Sequence, residues 1–231
     1  PFENIRVRKA LSLAIDKNLL VSTIYLGAGS PTSTMDAQPG SMGWDDRFVP
    51  YPFDSAEAKR LLTEAGYTTQ SPLKLKFWTS ARGGFTEWKE LGEAITLMWQ
   101  DTGLIKVDLT AVDTSVLDVM RRDRKLSGQP YLLRLEPGPD TVRRFSSQLN
   151  QKSNSALVTT DADIEALGPK VVAETDLQKR HDLAKQVYNI MYDQYLTVPL
   201  VSSGPVYGLS SRVKDWPLIR GMGKMTELER I

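Results

Sequence analysis

The sequence predicts an α/β fold, a mixed sheet covered by helices, and three observations carry that expectation. Leu73, Leu75 and Phe77 alternate with Lys74 and Lys76, a period of two that gives a strand one buried face. Trp88, Leu91, Ile95, Met98 and Trp99 follow at helical spacing as far as Gly103, and Val107, Leu109 and Ala111 then alternate again. Such a strand, helix, strand unit favours parallel pairing through a right-handed crossover, with helices packed over the sheet.

Ahead of that unit, Val7, Ala10, Leu11, Ala14 and Ile15 gather on one face of a helix. A second short helix after Asp16 turns Leu20, Thr23 and Ile24 inward. Gly27 and Gly29 end it, and the stretch to Pro52, with Pro31, Pro39, Gly40, Gly43 and Pro50, reads as one long irregular loop. Loops of that length in a compact domain usually have a job or are disordered. Asp54 and Glu57 make an acidic capping box before Ala58, Leu61, Leu62 and Ala65, and Gly66 stands where the helix end needs a left-handed residue. Beyond the central unit, helices are expected at about 114–125, 161–174 and 176–195, the last with Leu183, Val187, Ile190 and Met191 inward. LTVPLV then reads as a strand. From Gly204 onward, Pro205, Pro217, Gly221 and Gly223 break any periodicity, so an extended tail is expected.

Composition removes several function classes. Lys and Arg number 29 against 28 Asp and Glu, so no field draws the chain to nucleic acid or an acidic membrane. Cysteine is absent, which excludes disulfides, thiolate catalysis and cysteine-bound zinc and is compatible with an oxidising compartment. No apolar run approaches the ~18 residues of a membrane span. The opening PFENIRVRKALSLAIDK lacks the layout of a signal peptide, so an exported parent is expected to have carried its leader elsewhere. The single histidine, His181, lies in the polar run QKRHDL and reads as a solvated helix residue. GAGSPT and GMGKMT are each half of a phosphate-binding loop and cradle nothing. The basic run Arg121, Arg122, Arg124 and Lys125 suits a solvated helix end, and Asp45–Asp46 and Asp161 with Asp163 suit solvated or capping roles. No metal centre, catalytic residue or cofactor is called for.

The run RVRKALSLAIDKNLLVSTIYLGAGSPT, then PGSMGWDD, then YPFDSAEAKRLLTEAGY resembles the middle of the family 5 extracellular solute-binding proteins, the dipeptide and oligopeptide binders of ABC importers. The likeness continues through LKFWTSARGGFTEWKELGEAITLMWQDTGLIKVDLTAVD and weakly to RHDLAKQVYNIMYDQYLTVPLV, and is weakest between Gly128 and Val158. It implies a lobe of the type II periplasmic-binding-protein kind, with residues 1–203 as the second of two lobes and 204–231 as the segment returning toward the first. Such proteins close two lobes over a ligand and make or break no bond.

Three stretches match cleft-facing parts of the family. The strand end with Thr79, Ser80 and Arg82 falls where dipeptide binders carry an arginine for the ligand carboxylate, and Arg82 is either that fork or a solvated loop residue. Met35, Met42 and Trp44 offer adaptable apolar surface to a ligand, or pack on the lobe itself. YLLRLEPGPD aligns with a segment where a tryptophan and an acidic residue before Pro-Asp grip the ligand. Here Pro139-Asp140 is kept, Leu132 and Leu135 take those two places, and Arg134 and Glu136 are the polar groups left. The missing acid argues against free-amine di- or tripeptides, because a buried ammonium would lack its partner. Arg82 and Arg134 bias the cargo toward an anionic or hydroxyl-rich solute.

The resemblance implies a substrate-binding component of an ABC importer, capturing a peptide-like or other small organic solute. Its partners are that ligand and, through the complete two-lobed protein, the membrane permease. The parent is expected in the periplasm or outside the cell, with a lipid anchor left open. Two rival readings are the ligand-sensing domain of a transcription regulator and a hydrolase built on the same scaffold.

Overall fold

The computed structural model describes residues 1–81, 87–135, 142–153, 156–157, 161–203, 210–215, 218–219, 222–223 and 229–230. Helix α1 (Ile5–Leu13) is capped by Asn4, whose side chain accepts from the Arg6 amide, and it buries Val7, Ala10 and Leu11. Helix α2 (Lys17–Thr23) starts at Asp16, which accepts from the Leu19 amide at 2.9 Å. Leu20 is buried and Ile24 half-buried, but Thr23, expected inward, is exposed. Its hydroxyl donates to the Leu19 carbonyl one turn back, so it needs no partner in the core.

Strand β1 (Ser30–Pro31) is the one regular element inside the long loop and pairs antiparallel with β4 (Val201–Ser202). The strand expected at LTVPLV is therefore reduced to its end: Pro199 has no N–H, and β1 offers only two residues. Helix α3 (Ser55–Glu64) forms half of its capping box. Asp54 accepts from the Glu57 amide at 2.8 Å, but the Asp54 amide is already held by the Leu13 carbonyl, and Glu57 turns to Arg60. Gly66 closes the helix at φ +92°.

Strand β2 (Leu73–Ala81), helix α4 (Glu87–Asp101) and strand β3 (Ile105–Asp113) form the predicted unit, and the strands pair in parallel from Leu73↔Ile105 to Ala81↔Asp113. Tyr131 adds a parallel bridge to Trp78 on the other side of β2. The first core joins α1, α2 and α3 to Leu73, Leu75 and Phe77 and to Leu91, Ile95 and Trp99 of α4. The Trp99 ring nitrogen donates to the Leu11 carbonyl at 2.9 Å and fastens α4 to α1. Lys74 and Lys76 leave the other face of β2 open, but toward its end Trp78 is buried against Leu117 and Leu126, and Ser80 is buried too. A parallel strand needs that cover on both faces.

Helix α5 (Thr114–Arg122) ends in the basic run, where Arg121 pairs with Asp118 and Lys125 with Asp123, each at 3.2 Å. A π-helical turn (Arg144–Gln148), α6 (Ala162–Ala173) and α7 (Leu177–Asp193) build a second core from Phe145, Ile164, Val171, Val187 and Tyr188, with Ala37 and Phe48 of the long loop. Farther on, β5 (Val213–Asp215) pairs with β8 (Glu229–Arg230) and β6 (Leu218–Ile219) with β7 (Met222–Gly223), both antiparallel. Among the described residues the strands form four two-stranded sheets, one parallel and three antiparallel, where a single mixed sheet was expected; the α/β class holds.

Lys17 is 3% exposed, and its ammonium donates to the Tyr51 carbonyl at 3.1 Å. Burial lowers this lysine from its ordinary 10.5 to about 8. Between those values the unfolded chain holds a proton that the folded chain has released, so stability rises with pH across that window. Relative to Lys17→Met, the wild type is expected to gain on the order of 3 kcal/mol between pH 8 and 10.5. Denaturation curves at several pH values check this; a constant difference between the two proteins contradicts it.

Candidate functional site

Three parallel segments end at one edge of the sheet: β2 at Ala81, β3 at Asp113, and the Tyr131 segment at Leu132–Leu135. Ladder bonds from the Trp78 amide to the Pro130 carbonyl (3.0 Å) and from the Leu132 amide to the Trp78 carbonyl (2.9 Å) fix that third segment. In open α/β sheets, ligands bind outside the carboxyl ends of the strands, so this edge is the first place to look.

Thr79 is fully buried, and its hydroxyl donates to the Trp88 carbonyl at 3.1 Å, tying the first turn of α4 to the sheet. Ser80 is 1% exposed, and its hydroxyl has no hydrogen-bond partner among the described residues. A buried hydroxyl left unmatched is costly, and a ligand atom is one way to satisfy it. Arg134 follows the third segment and is exposed, whereas Leu132 is buried in the first core. Tyr25, just past α2, joins this group. Burial raises its phenol, Glu87 at the start of α4 raises it further, and Arg134 lowers it, so both charges lie within electrostatic reach of the ring oxygen. Next to it, Leu26 holds φ +50° with 86% of its surface exposed, a strained conformation for a side chain that buries nothing here. Arg82 and Glu136 lie outside the described residues.

Met42 and Trp44 are not gathered at this edge; with Met35 they pack half-buried on the second core. Trp44 donates to Asp46 at 2.9 Å and meets Phe48 edge to face at 5.5 Å. The loop carrying them is clipped along one face of α7. His181 accepts from the Gly43 amide at 3.2 Å, Lys185 pairs with Asp45 at 3.2 Å, and Asp193 holds Arg47 through both carboxylate oxygens. The Tyr192 hydroxyl donates to the Val49 carbonyl at 2.8 Å. These α7 positions recur at helical spacing, so one face reads one loop. His181, expected as a solvated helix residue, is instead a latch, and its Nδ1 must be unprotonated to accept that bond.

Sequence reasoning missed the strongest polar contact in the loop. Arg144 reaches Asp36 with two bonds, of 2.8 and 3.0 Å, at side-chain exposures of 9% and 5%, and the Tyr188 hydroxyl adds a longer contact to Asp36 at 3.4 Å. The partners are 108 residues apart, and neither lies in a motif. Among the described residues, no group of three or more His, Cys, Asp or Glu is placed to hold a metal.

Comparison with known proteins bears on the fold and the family. The chain is 28% identical over 224 residues to heme-binding protein A of Haemophilus influenzae, covering 94% of this chain and 40% of that protein. It is 24% identical over 229 residues to the dipeptide-binding protein of Escherichia coli K12, covering 97% of the chain and 42% of the relative. The chain thus spans about two fifths of the length of these relatives. The dipeptide-binding protein of Pseudoalteromonas sp. SM9913, solved with Met-Leu, superposes with a TM-score of 0.75 at 21% identity, over all of this chain and 46% of that one. NikA from Staphylococcus aureus, solved with Ni(L-His)2, gives 0.74 at 18% identity over 94% of this chain and 46% of that one. These likenesses confirm the α/β lobe. Residues 1–156 match the profile of the bacterial extracellular solute-binding proteins, family 5 Middle, and the chain belongs to that family.

Proposed function

We propose that this chain is the second lobe of the substrate-binding component of an ABC importer, and that it takes a small organic solute at the carboxyl edge of its parallel sheet. The observation that carries the reading is that Glu87 and Arg134 both act on the half-buried Tyr25 phenol at the edge where the parallel segments end. Arg82 and Glu136 belong to the proposed site by their place in the sequence, just after two of these segments. Thr79 acts as a positioning residue through Trp88. Met42 and Trp44 would meet cargo only by closure of the complete protein over it. The division at Ser203, with the remaining residues returning to a first lobe, is part of the same proposal.

Relatives that match carry the names of binding proteins for heme and dipeptides, and nothing among them favours the regulator reading. The parent is proposed to work in the periplasm or outside the cell, held near its permease, and to catalyse nothing. Generic esterase, peptidase and glycosidase substrates are expected to show no turnover that a single serine or carboxylate substitution abolishes; such turnover would contradict the binding reading.

Leu135 occupies the place where peptide-binding relatives are expected to present an acid, so cargo with a free amino group has no carboxylate to meet there. An anionic or hydroxyl-rich solute is the proposed cargo. A thermal-shift screen on the complete two-lobed protein, followed by calorimetry, tests this. Anionic solutes are expected to bind more tightly than ordinary dipeptides, and tight dipeptide binding lost on blocking the amino group would refute the argument from Leu135. The isolated chain is expected to bind any such solute at least tenfold more weakly than the complete protein, because half the contacts and the burial on closure are missing.

A further inference from the structure

We propose that the cavity beside Lys17 is a binding site for a small monocarboxylate with an apolar body, separate from the sheet edge. The cavity measures about 220 Å³ and is lined by Lys17, Asn18, Pro31, Phe53 and the segment 50–52. The Lys17 ammonium has three N–H groups, and the Tyr51 carbonyl is its one hydrogen-bond acceptor among the described residues. The Tyr51 ring lies 5.8 Å from the same nitrogen. No carboxylate of the described residues comes within ion-pair distance of it. Asp16, its neighbour in sequence, accepts from the Leu19 amide and favours the charged lysine from beyond ion-pair distance, but burial outweighs it. A buried ammonium with no carboxylate in contact is poorly compensated, and an anion entering from the cavity supplies the missing contact.

The walls decide what that anion is attached to. Pro31, the flanking prolines of segment 50–52 and Phe53 are apolar, and Phe53 stays 51% exposed as a rim. The volume is below the ~300 Å³ at which pockets for drug-sized ligands begin, so a small acid fits and a peptide does not. With one cation in the lining, a second carboxylate would have only the neutral Asn18 side chain to meet, which favours a monoacid. The site stands apart from the sheet edge: Lys17 opens α2 and Tyr25 lies beyond its end, roughly 10 Å away along the axis.

Benzoate is the probe and benzamide its uncharged control. Lysine carbon NMR on the 231-residue chain follows the titration of Lys17, assigned by loss of its signal in Lys17→Met or by its midpoint near 8. Saturating benzoate is expected to raise that midpoint by at least about one pH unit, equivalent to tenfold tighter binding to the charged form, and benzamide to leave it in place. Phe53→Ala is expected to keep the low midpoint and weaken benzoate about fivefold or more. A midpoint unmoved by benzoate at about 10 mM, where even millimolar sites fill, overturns the proposal. So does an equal rise with a blocked glutamate peptide, which would assign the cavity to an acidic side chain of a partner protein.

Discussion

Arg144→Ala is expected to destabilise the chain by about 3–5 kcal/mol, because it leaves Asp36 as a buried charge without its partner. The pair is nearly sealed, at 9% and 5% exposure, and its two short bonds join the long loop to the second core. Asp36→Ala is expected to destabilise as well, since it removes the same two buried bonds from the other side. The pair itself contributes far less than either single loss suggests, since burying both charges already carried a large desolvation cost. The double substitution Asp36→Leu with Arg144→Met is therefore expected to recover most of the stability lost by either alanine. Urea unfolding of the four proteins checks this. A single-mutant loss below about 1 kcal/mol would mean that the pair is hydrated and behaves like a surface bridge.

Gly43→Ala carries the second large effect, from two separate causes. The residue sits at φ +82°, where a side chain is strained by about 1–2 kcal/mol. A Cβ there would also come within 2.7 Å of the Tyr188 ring and 3.0 Å of the Ala184 methyl, both on the packed face of α7. Overpacking of that kind adds about 1–3 kcal/mol, and displacing the loop breaks the bond to His181 as well. Gly66→Ala separates the causes, since Gly66 has φ +92° and open space around it, so it is expected to show the backbone contribution alone. Equal losses at the two positions would mean that the loop yields freely and is not clipped to α7.

What the sequence made legible was local. Asp54, Gly66 and Gly103 punctuate their helices as their chemistry requires, and the alternation at 73–77 and 107–111 marks the two strands that pair in parallel. Thr23 misled because helical spacing counts a threonine as inward, whereas its hydroxyl is satisfied by its own helix. Glu57 misled because tertiary contact had already taken the Asp54 amide. The sheet edge was partly visible, since Thr79, Ser80 and Arg134 were singled out and do share it. Tyr25 and Glu87 were not, because nothing in their neighbourhoods announces that the end of α2 and the start of α4 come within electrostatic reach of one another. The Asp36–Arg144 pair has no periodic or motif signal at all; only the folded chain brings together two charges separated by 108 residues.

If cargo is held at the carboxyl edge of the parallel sheet, calorimetry on the complete two-lobed protein will register the loss of its polar groups. With an anionic solute found by thermal shift, Arg134→Ala is expected to weaken binding at least tenfold, roughly 1.4 kcal/mol or more. Unchanged affinity in both Arg134→Ala and Tyr25→Phe would exclude the sheet edge and move the binding site elsewhere on the lobe.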